Sequence, residues 1–389
     1  MPEETRMPMT EALLLPAEGD LGVKVGGLGL QERWQKGLAR AGIRAPAVRP
    51  SAIPAALAGA TAPLLVADAG AVLDYDALNL LAASRAGAGE IVAFRDDGSG
   101  TVPAVLLGSE AARRMAAFRE ASPATLSAHA SRTADLPGAC WPRPRNAREA
   151  NAITRSMLAR LRLRPGGLVA RHVNRHFSTR WTYWLLKTPL TPNHITTITG
   201  VLALVAAAAM LPAGWAFGVL GALLMQVSSI IDGCDGEVAR IRYQQSEFGK
   251  WYDSAWDEVV NALFLAAIGR HVAATQGPGW EWALWAGAFA GLANFLYGAA
   301  NFHCKWVHGI GLYWWFDKPP APRPPDQPPP PPTWWSELKT LSGRDAYLFL
   351  FFLAAVADVL PWLLVGIAAI SAAFFGLLFV HVVVVRARW

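Results

Sequence analysis

Between Ile231 and Glu258 the chain reads IDGCDGEVARIRYQQSEFGKWYDSAWDE, a stretch with four central aspartates and apolar runs of span length on both sides. Asp232 and Asp235 are three residues apart, and Asp253 and Asp257 four apart, so on helices each pair shares a face. Gly249 lies one turn before Asp253 on the same stripe. Carboxylates at membrane depth are costly unless partnered, and such residues mark functional sites. Two helices that point four carboxylates at each other are most simply held together by divalent cations with all-oxygen ligation. The bland alternative is a solvated acidic loop, and the flanking apolar spans argue against it.

The chain has 389 residues, enough for two domains. Hydrophobic residues make up 53% and charged residues 16%, which suits a membrane protein carrying a soluble part. Seventeen Trp are present, several near span ends, where interfacial aromatics collect. The net charge of +6 is concentrated before the first span, so it points to a membrane surface and away from nucleic acid. Cys140, Cys234 and Cys304 have no paired or metal-type spacing, and Cys234 reads as filler inside the acidic stretch. The N-terminal stretch has no basic region followed by a clean apolar run, and no cleaved signal peptide is indicated.

Apolar length predicts six spans, at about 194–212, 214–233, 247–270, 280–302, 345–360 and 362–385. Lys and Arg follow spans two and four and end the chain at Arg386 and Arg388, while the opposite loops carry chiefly Arg270. The positive-inside rule then places both termini and Asp232 on the cytoplasmic face of an inner membrane. Residues 318–333 are proline-rich and read as an extended, solvated spacer. His303, His308 and His381 read as interfacial or helix-contact residues.

The first 142 residues read as a soluble domain with strand–helix alternation. Ala12–Leu15, Pro63–Ala67, Ile91–Phe94 and Val105–Leu107 are expected strands, and the middle of Gly27–Ile43 and Asp76–Ala83 are expected helices. A doubly wound, Rossmann-like α/β domain follows. Its segments GLGLQERWQKGLARAGI and LLVADAGAVLDYDAL resemble sugar-phosphate nucleotidyltransferases, with Asp68 in the aspartate position. The glycine-rich loop that should follow the first strand is missing, and its backbone amides and cations would hold the triphosphate. This domain is therefore expected to be inactive, with Asp68 a helix cap or turn residue.

Residues 143–192 form a basic linker. From 143 to 187 there are eleven Lys or Arg against one acid, Glu149. Asn151–Arg164 is an expected helix. Leu168–Leu186 is expected to be an amphipathic helix lying on an anionic leaflet, with Trp181, Tyr183 and Trp184. A solvated basic linker is the plainer alternative.

The acidic stretch has the spacing Asp-x2-Asp-Gly-x2-Ala-Arg-x8-Gly-x3-Asp-x3-Asp, matched at all eight fixed positions. It resembles the signature of the CDP-alcohol phosphotransferases, integral membrane enzymes of phospholipid synthesis. The stretch with Arg171, Asn174, Arg175, Thr191, Pro192 and Asn193 resembles the branch in which an inositol-phosphate cytidylyltransferase is fused to a di-myo-inositol-phosphate-phosphate synthase. The resemblance implies a six-helix membrane domain over 193–389, a two-metal Mg²⁺ or Mn²⁺ site on Asp232, Asp235, Asp253 and Asp257, and Asp257 as general base. It implies that Gly236, Ala239, Arg240 and Gly249 approach the cytidine nucleotide. It further implies a CDP-alcohol donor, an alcohol or alcohol-phosphate acceptor, membrane lipids around the protein, and a homodimer. Arg171, Arg175 or Arg344 are candidates for an acceptor phosphate, with lipid headgroups and membrane topology as the alternative explanation of each. A non-catalytic scaffold with a vestigial site is the competing reading. A transporter fits less well, because the carboxylates gather at one membrane face.

Overall fold

The computed structural model describes residues 7–16, 22–96, 100–118, 121–136, 140–164, 166–308 and 343–380. The proline-rich stretch 318–333, His381 and the C-terminal arginines lie outside the described residues, as does most of the segment after Leu15 where a phosphate loop is missing. The chain divides into two compact units. One contains residues 1–161, 182–189 and 237–245, and the other contains 162–181, 190–236 and 246–389.

In the first unit five strands form one sheet: β1 (Glu11–Leu15), β2 (Leu64–Asp68), β3 (Ile91–Asp96), β4 (Ala104–Leu107) and β5 (Arg132–Leu136), in the spatial order β5-β3-β4-β2-β1. All the expected strands form. The period of two sends alternate residues to opposite faces. Ala12, Leu14, Leu65, Ala67, Val92, Phe94 and Leu106 pack on one side against Trp34 and Leu38 of α1 (Leu30–Arg40) and Leu78 and Leu81 of α2 (Tyr75–Ala83). Leu13, Leu64, Val66, Ile91, Ala93, Val105 and Leu107 pack on the other side with Ile53, Leu57 and Leu126. Helices therefore cover both faces, as expected. The sheet itself is mixed, because β4 runs antiparallel to both β2 and β3. The physical reason is the connection: residues 97–103 between β3 and β4 are too few for the crossover that a parallel pair requires.

The expected basic helix spans Ala147–Arg162 (α3). The amphipathic segment begins as a π turn, Ala170–Asn174, and continues as α4 (Arg175–Leu185). Its buried positions are small or polar (Asn174, Ser178, Thr179, Thr182), while Phe177, Trp181 and Trp184 are exposed. That distribution matches a helix whose aromatic side meets a membrane interface.

Among the described residues six helices follow: α5 (Pro192–Met210), α6 (Trp215–Ile241), α7 (Glu247–Gln276), α8 (Glu281–His308), α9 (Arg344–Val356) and α10 (Leu360–Val380). Their positions overlap the six apolar stretches expected from sequence. By length and composition, three among the described residues are able to cross a membrane: α5, α6 and Glu281–Trp306 of α8. In the second unit α7 packs along α5 and α8 around Phe264, Leu265 and Ile268, with Phe351 of α9 edge-on to Phe264 at 5.9 Å. Close approach between α7 and α8 depends on glycine. A Cβ on Gly269 would lie 2.4 Å from the Ala283 carbonyl, and one on Gly287 would lie 2.6 Å from Gly269 Cα. Small residues let membrane helices approach where lipid supplies no hydrophobic drive.

Candidate carboxylate site

The local sequence places the four aspartates on two helices. Asp232 and Asp235 lie on α6, three residues apart, near its C-terminal end. Asp253 and Asp257 lie on α7, one turn apart, just inside its start. The start of α7 is set by Ser246, whose hydroxyl accepts from Gly249 N at 2.9 Å. This cap fixes where Asp253 and Asp257 point.

One carboxylate oxygen from each of Asp232, Asp235 and Asp253 lies within 4.8 Å of the others. Three anionic oxygens at that separation repel strongly without a cation, and oxygen ligation suits Mg²⁺ or Mn²⁺. Asp253 Oδ1 is buried with no hydrogen-bond partner among the described residues. A buried acceptor left open beside two other carboxylates is what a metal ligand looks like before its ion is added. The residues therefore fit a divalent cation.

Asp257 is engaged differently. Its Oδ1 lies 2.7 Å from Arg344 Nη1, and the same nitrogen lies 3.0 Å from Asp232 Oδ2. Arg344 Nε also donates to Asn261 Oδ1 at 3.3 Å. Arg344 thus spends its donors on carboxylates and an amide. Arg175, a second candidate for an acceptor phosphate, donates from Nη1 to the carbonyls of Arg162 and Arg164.

Several contributors other than Asn174 were not singled out from sequence. The Thr196 hydroxyl of α5 donates to Asp235. Thr197 and Tyr252 hydroxyls are hydrogen-bonded at 2.9 Å, which ties α5 to α7 one residue before Asp253. Next to Arg344, Asp345 Oδ1 accepts from Ser229 Oγ at 3.2 Å and from Asn174 Nδ2 at 3.3 Å, and Gln226 Nε2 donates to Asn174 Oδ1 at 3.0 Å. The available signal was a run of polar residues, Thr196, Gln226 and Ser229, inside otherwise apolar helices. Cys234 is buried with its Sγ 3.4 Å from the Ser178 carbonyl, consistent with a filling role.

Gly236 follows Asp235 on α6, and Ala239 and Arg240 continue the same helix toward its end at Ile241. A Cβ on Gly249 would lie 3.1 Å from Ser246 Oγ and 3.3 Å from Asn193 Oδ1, so backbone there is approached by side chains only. In the first unit Asp68 Oδ1 accepts from Gly70 N at 2.8 Å, which makes it a turn residue as expected.

Three apolar helices of span length and an aspartate triad able to hold a metal ion give this chain the character of a helical membrane protein. Residues 189–312 match the family model described as CDP-alcohol phosphatidyltransferase, and the chain carries that domain. Among curated proteins it is similar to the bifunctional IPC transferase and DIPP synthase of Aquifex aeolicus (strain VF5), 37% identical over 121 residues, 31% of this chain and 26% of the relative. The protein of the same description from Thermococcus kodakarensis is 39% identical over 102 residues, 26% of this chain and 22% of the relative. That from Rubrobacter xylanophilus is 36% identical over 115 residues, 28% of this chain and 26% of the relative. The chain spans about a quarter of the length of the curated relatives it matches.

Proposed function

We propose that this protein is an integral membrane CDP-alcohol phosphotransferase, with six spans and a cytoplasmic active site. It transfers a substituted phosphate from a CDP-alcohol of the CDP-diacylglycerol or CDP-inositol type to an acceptor alcohol and releases CMP. The observation that carries this reading is the convergence of Asp232, Asp235 and Asp253 within 4.8 Å, inside the segment that matches the family model.

The acceptor hydroxyl oxygen forms a bond to the β-phosphorus of the donor. The bond from that phosphorus to the CMP oxygen breaks, and CMP leaves with the electron pair. Asp257 takes the hydroxyl proton as general base. Asp232, Asp235 and Asp253, with Asp257 beside them, would hold Mg²⁺ or Mn²⁺, which would supply neutralisation of the pyrophosphate charge. Arg344 orients Asp257 and Asp232 through its bonds at 2.7 and 3.0 Å. Thr196 orients Asp235. Gly236, Ala239 and Gly249 leave room for the nucleotide against the backbone, and Arg240 contacts phosphate.

The test is CMP release from CDP-diacylglycerol and from CDP-inositol by the purified full chain. The expected result is release that needs Mg²⁺ or Mn²⁺, stops in EDTA, and is lost in Asp253→Asn. Undiminished release in EDTA, or no release with either donor and any acceptor, would turn the assignment toward a non-catalytic scaffold.

A further inference from the structure

The first unit contains a cavity of about 550 Å³ whose lining includes none of the four aspartates. It is built by stretches far apart in sequence: the hairpin around Gly26 and Gly27, α1, α3, the end of the amphipathic segment at 183–189, and Arg242 with Gln244. Four cations line it, Lys24, Lys36, Lys187 and Arg242, and among the described residues no carboxylate lines it. That volume is in the range of small-molecule sites.

The walls are held in place. Gly26 and Gly27 have φ of 58° and 81°, the left-handed geometry of a tight hairpin turn between Lys24–Val25 and Leu28–Gly29. Gly26 N donates to Thr154 Oγ1 at 3.0 Å. A Cβ on Gly27 would lie 2.5 Å from the Leu186 carbonyl, so the turn sits hard against that wall. Arg242 Nη2 donates to the carbonyls of Leu186 at 3.0 Å and Thr188 at 2.7 Å. Lys187 Nζ is stacked over Tyr183 at 4.3 Å and Trp184 at 4.4 Å.

Against these four cations stands Glu32, whose charge acts on Lys24 and Arg242 as well as Lys36. Lys36 pairs with Glu32 at 2.8 Å, outside the lining. Burial pulls the Arg242 guanidinium below its ordinary value, a penalty that an anion in the cavity would relieve. Gln244 Oε1 is buried with no hydrogen-bond partner among the described residues, and it is suited to a ligand hydroxyl or amine. Asp68, which matches the nucleotidyltransferase aspartate in the sequence resemblance, is not part of the lining.

We propose that this cavity binds a phosphate-bearing ligand that also carries hydroxyl or amino donors, with Lys24, Lys187 and Arg242 receiving the phosphate and Gln244 receiving a donor. The phosphate comes either from a soluble phosphorylated metabolite or from an anionic lipid headgroup.

The test uses the full chain in detergent with EDTA present, which silences any phosphate binding that depends on the aspartate site. Inorganic pyrophosphate is titrated and the melting temperature followed, since a ligand that binds only the folded state raises it. In a second arm the protein sits in phosphatidylcholine nanodiscs with or without phosphatidylglycerol. The expected result is a rise of several degrees with pyrophosphate, with phosphatidylglycerol, or with both, lost in Lys24→Gln/Lys187→Gln and kept in Arg113→Gln, an exposed cation elsewhere on the unit. A response to pyrophosphate identifies a soluble ligand, and a response to phosphatidylglycerol alone identifies a headgroup. No rise with either probe, or equal rises in wild type and the double variant, would overturn the proposal. If the double variant melts far below wild type without ligand, Lys24→Gln alone serves for the comparison, because Lys24 is exposed and its loss leaves the walls intact.

Discussion

Arg344 Nη1 lies 2.7 Å from Asp257 Oδ1 and 112 residues away in sequence from Asp232, whose Oδ2 the same nitrogen also reaches. One guanidinium thus joins an aspartate of each helix. Two carboxylates that would repel each other are held at fixed positions by it.

Replacing Arg344 should therefore damage turnover more than folding of the first unit. Arg344→Lys keeps the charge but offers a point donor in place of a planar fork, so it cannot serve Asp232, Asp257 and Asn261 together. Loss of a charged hydrogen bond is worth about 1.5–3 kcal/mol, roughly a tenfold to hundredfold fall in rate. CMP release at saturating Mg²⁺ checks this, and unchanged kcat in Arg344→Lys would refute the positioning role.

Gly249 and Gly269 should behave in opposite ways. A Cβ at Gly249 meets two side-chain oxygens at 3.1 and 3.3 Å, which can yield, so Gly249→Leu should stay folded and lose its CDP-dependent stabilisation. The same outcome is expected for Gly236→Leu. At Gly269 the obstacles are the Ala283 carbonyl and Gly287 backbone, which cannot yield, so even Gly269→Ala should lower the yield of folded protein. Melts of each variant with and without CDP and Mg²⁺ separate the cases. A Gly249→Leu protein that melts low but still responds to CDP would assign that glycine to packing.

Arg33 is buried in the first unit. It donates to the carbonyls of Val25 at 3.0 Å, Ile241 at 3.1 Å and Leu73 at 3.4 Å, and to the Tyr243 hydroxyl at 3.2 Å. Arg33→Ala takes this donor from the Val25 and Ile241 carbonyls at about 1 kcal/mol or more each, while the Leu73 carbonyl keeps the Tyr243 hydroxyl at 2.9 Å. We expect a destabilisation of about 2–4 kcal/mol, read as a lower melting temperature and faster proteolysis of this unit. A melt indistinguishable from wild type would show that water replaces the guanidinium.

Residues 1–142 should not form a CDP-alcohol from CTP and an alcohol phosphate. Asp68 is committed to a turn through Gly70 N at 2.8 Å, and the stretch directly after Leu15, PAEGDLGV, carries no Lys or Arg. Pyrophosphate release from CTP by the full chain, with the aspartate site silenced by Asp253→Asn, is the measurement. Release dependent on an alcohol phosphate would contradict the expectation.

Much of this protein was legible without coordinates. The strands at Ala12–Leu15 and Pro63–Ala67, the six apolar helices and the pairing of aspartates on two of them follow from periodicities of two and 3.6 and from apolar length, which are local properties of a chain. The eight-position spacing from Asp232 to Asp257 is also local, and it led to the family that residues 189–312 match. Other features depended on contacts between residues far apart in sequence. The short connection 97–103 makes β4 antiparallel to β3, but its place between β3 and β2 is decided only when the sheet assembles. The commitment of Arg344 to Asp232 and Asp257, of Thr196 to Asp235, and of Arg175 to two carbonyls depends on helix packing that brings distant side chains within hydrogen-bond distance. A sequence states which donors and acceptors exist, and only the packed helices decide which of them meet.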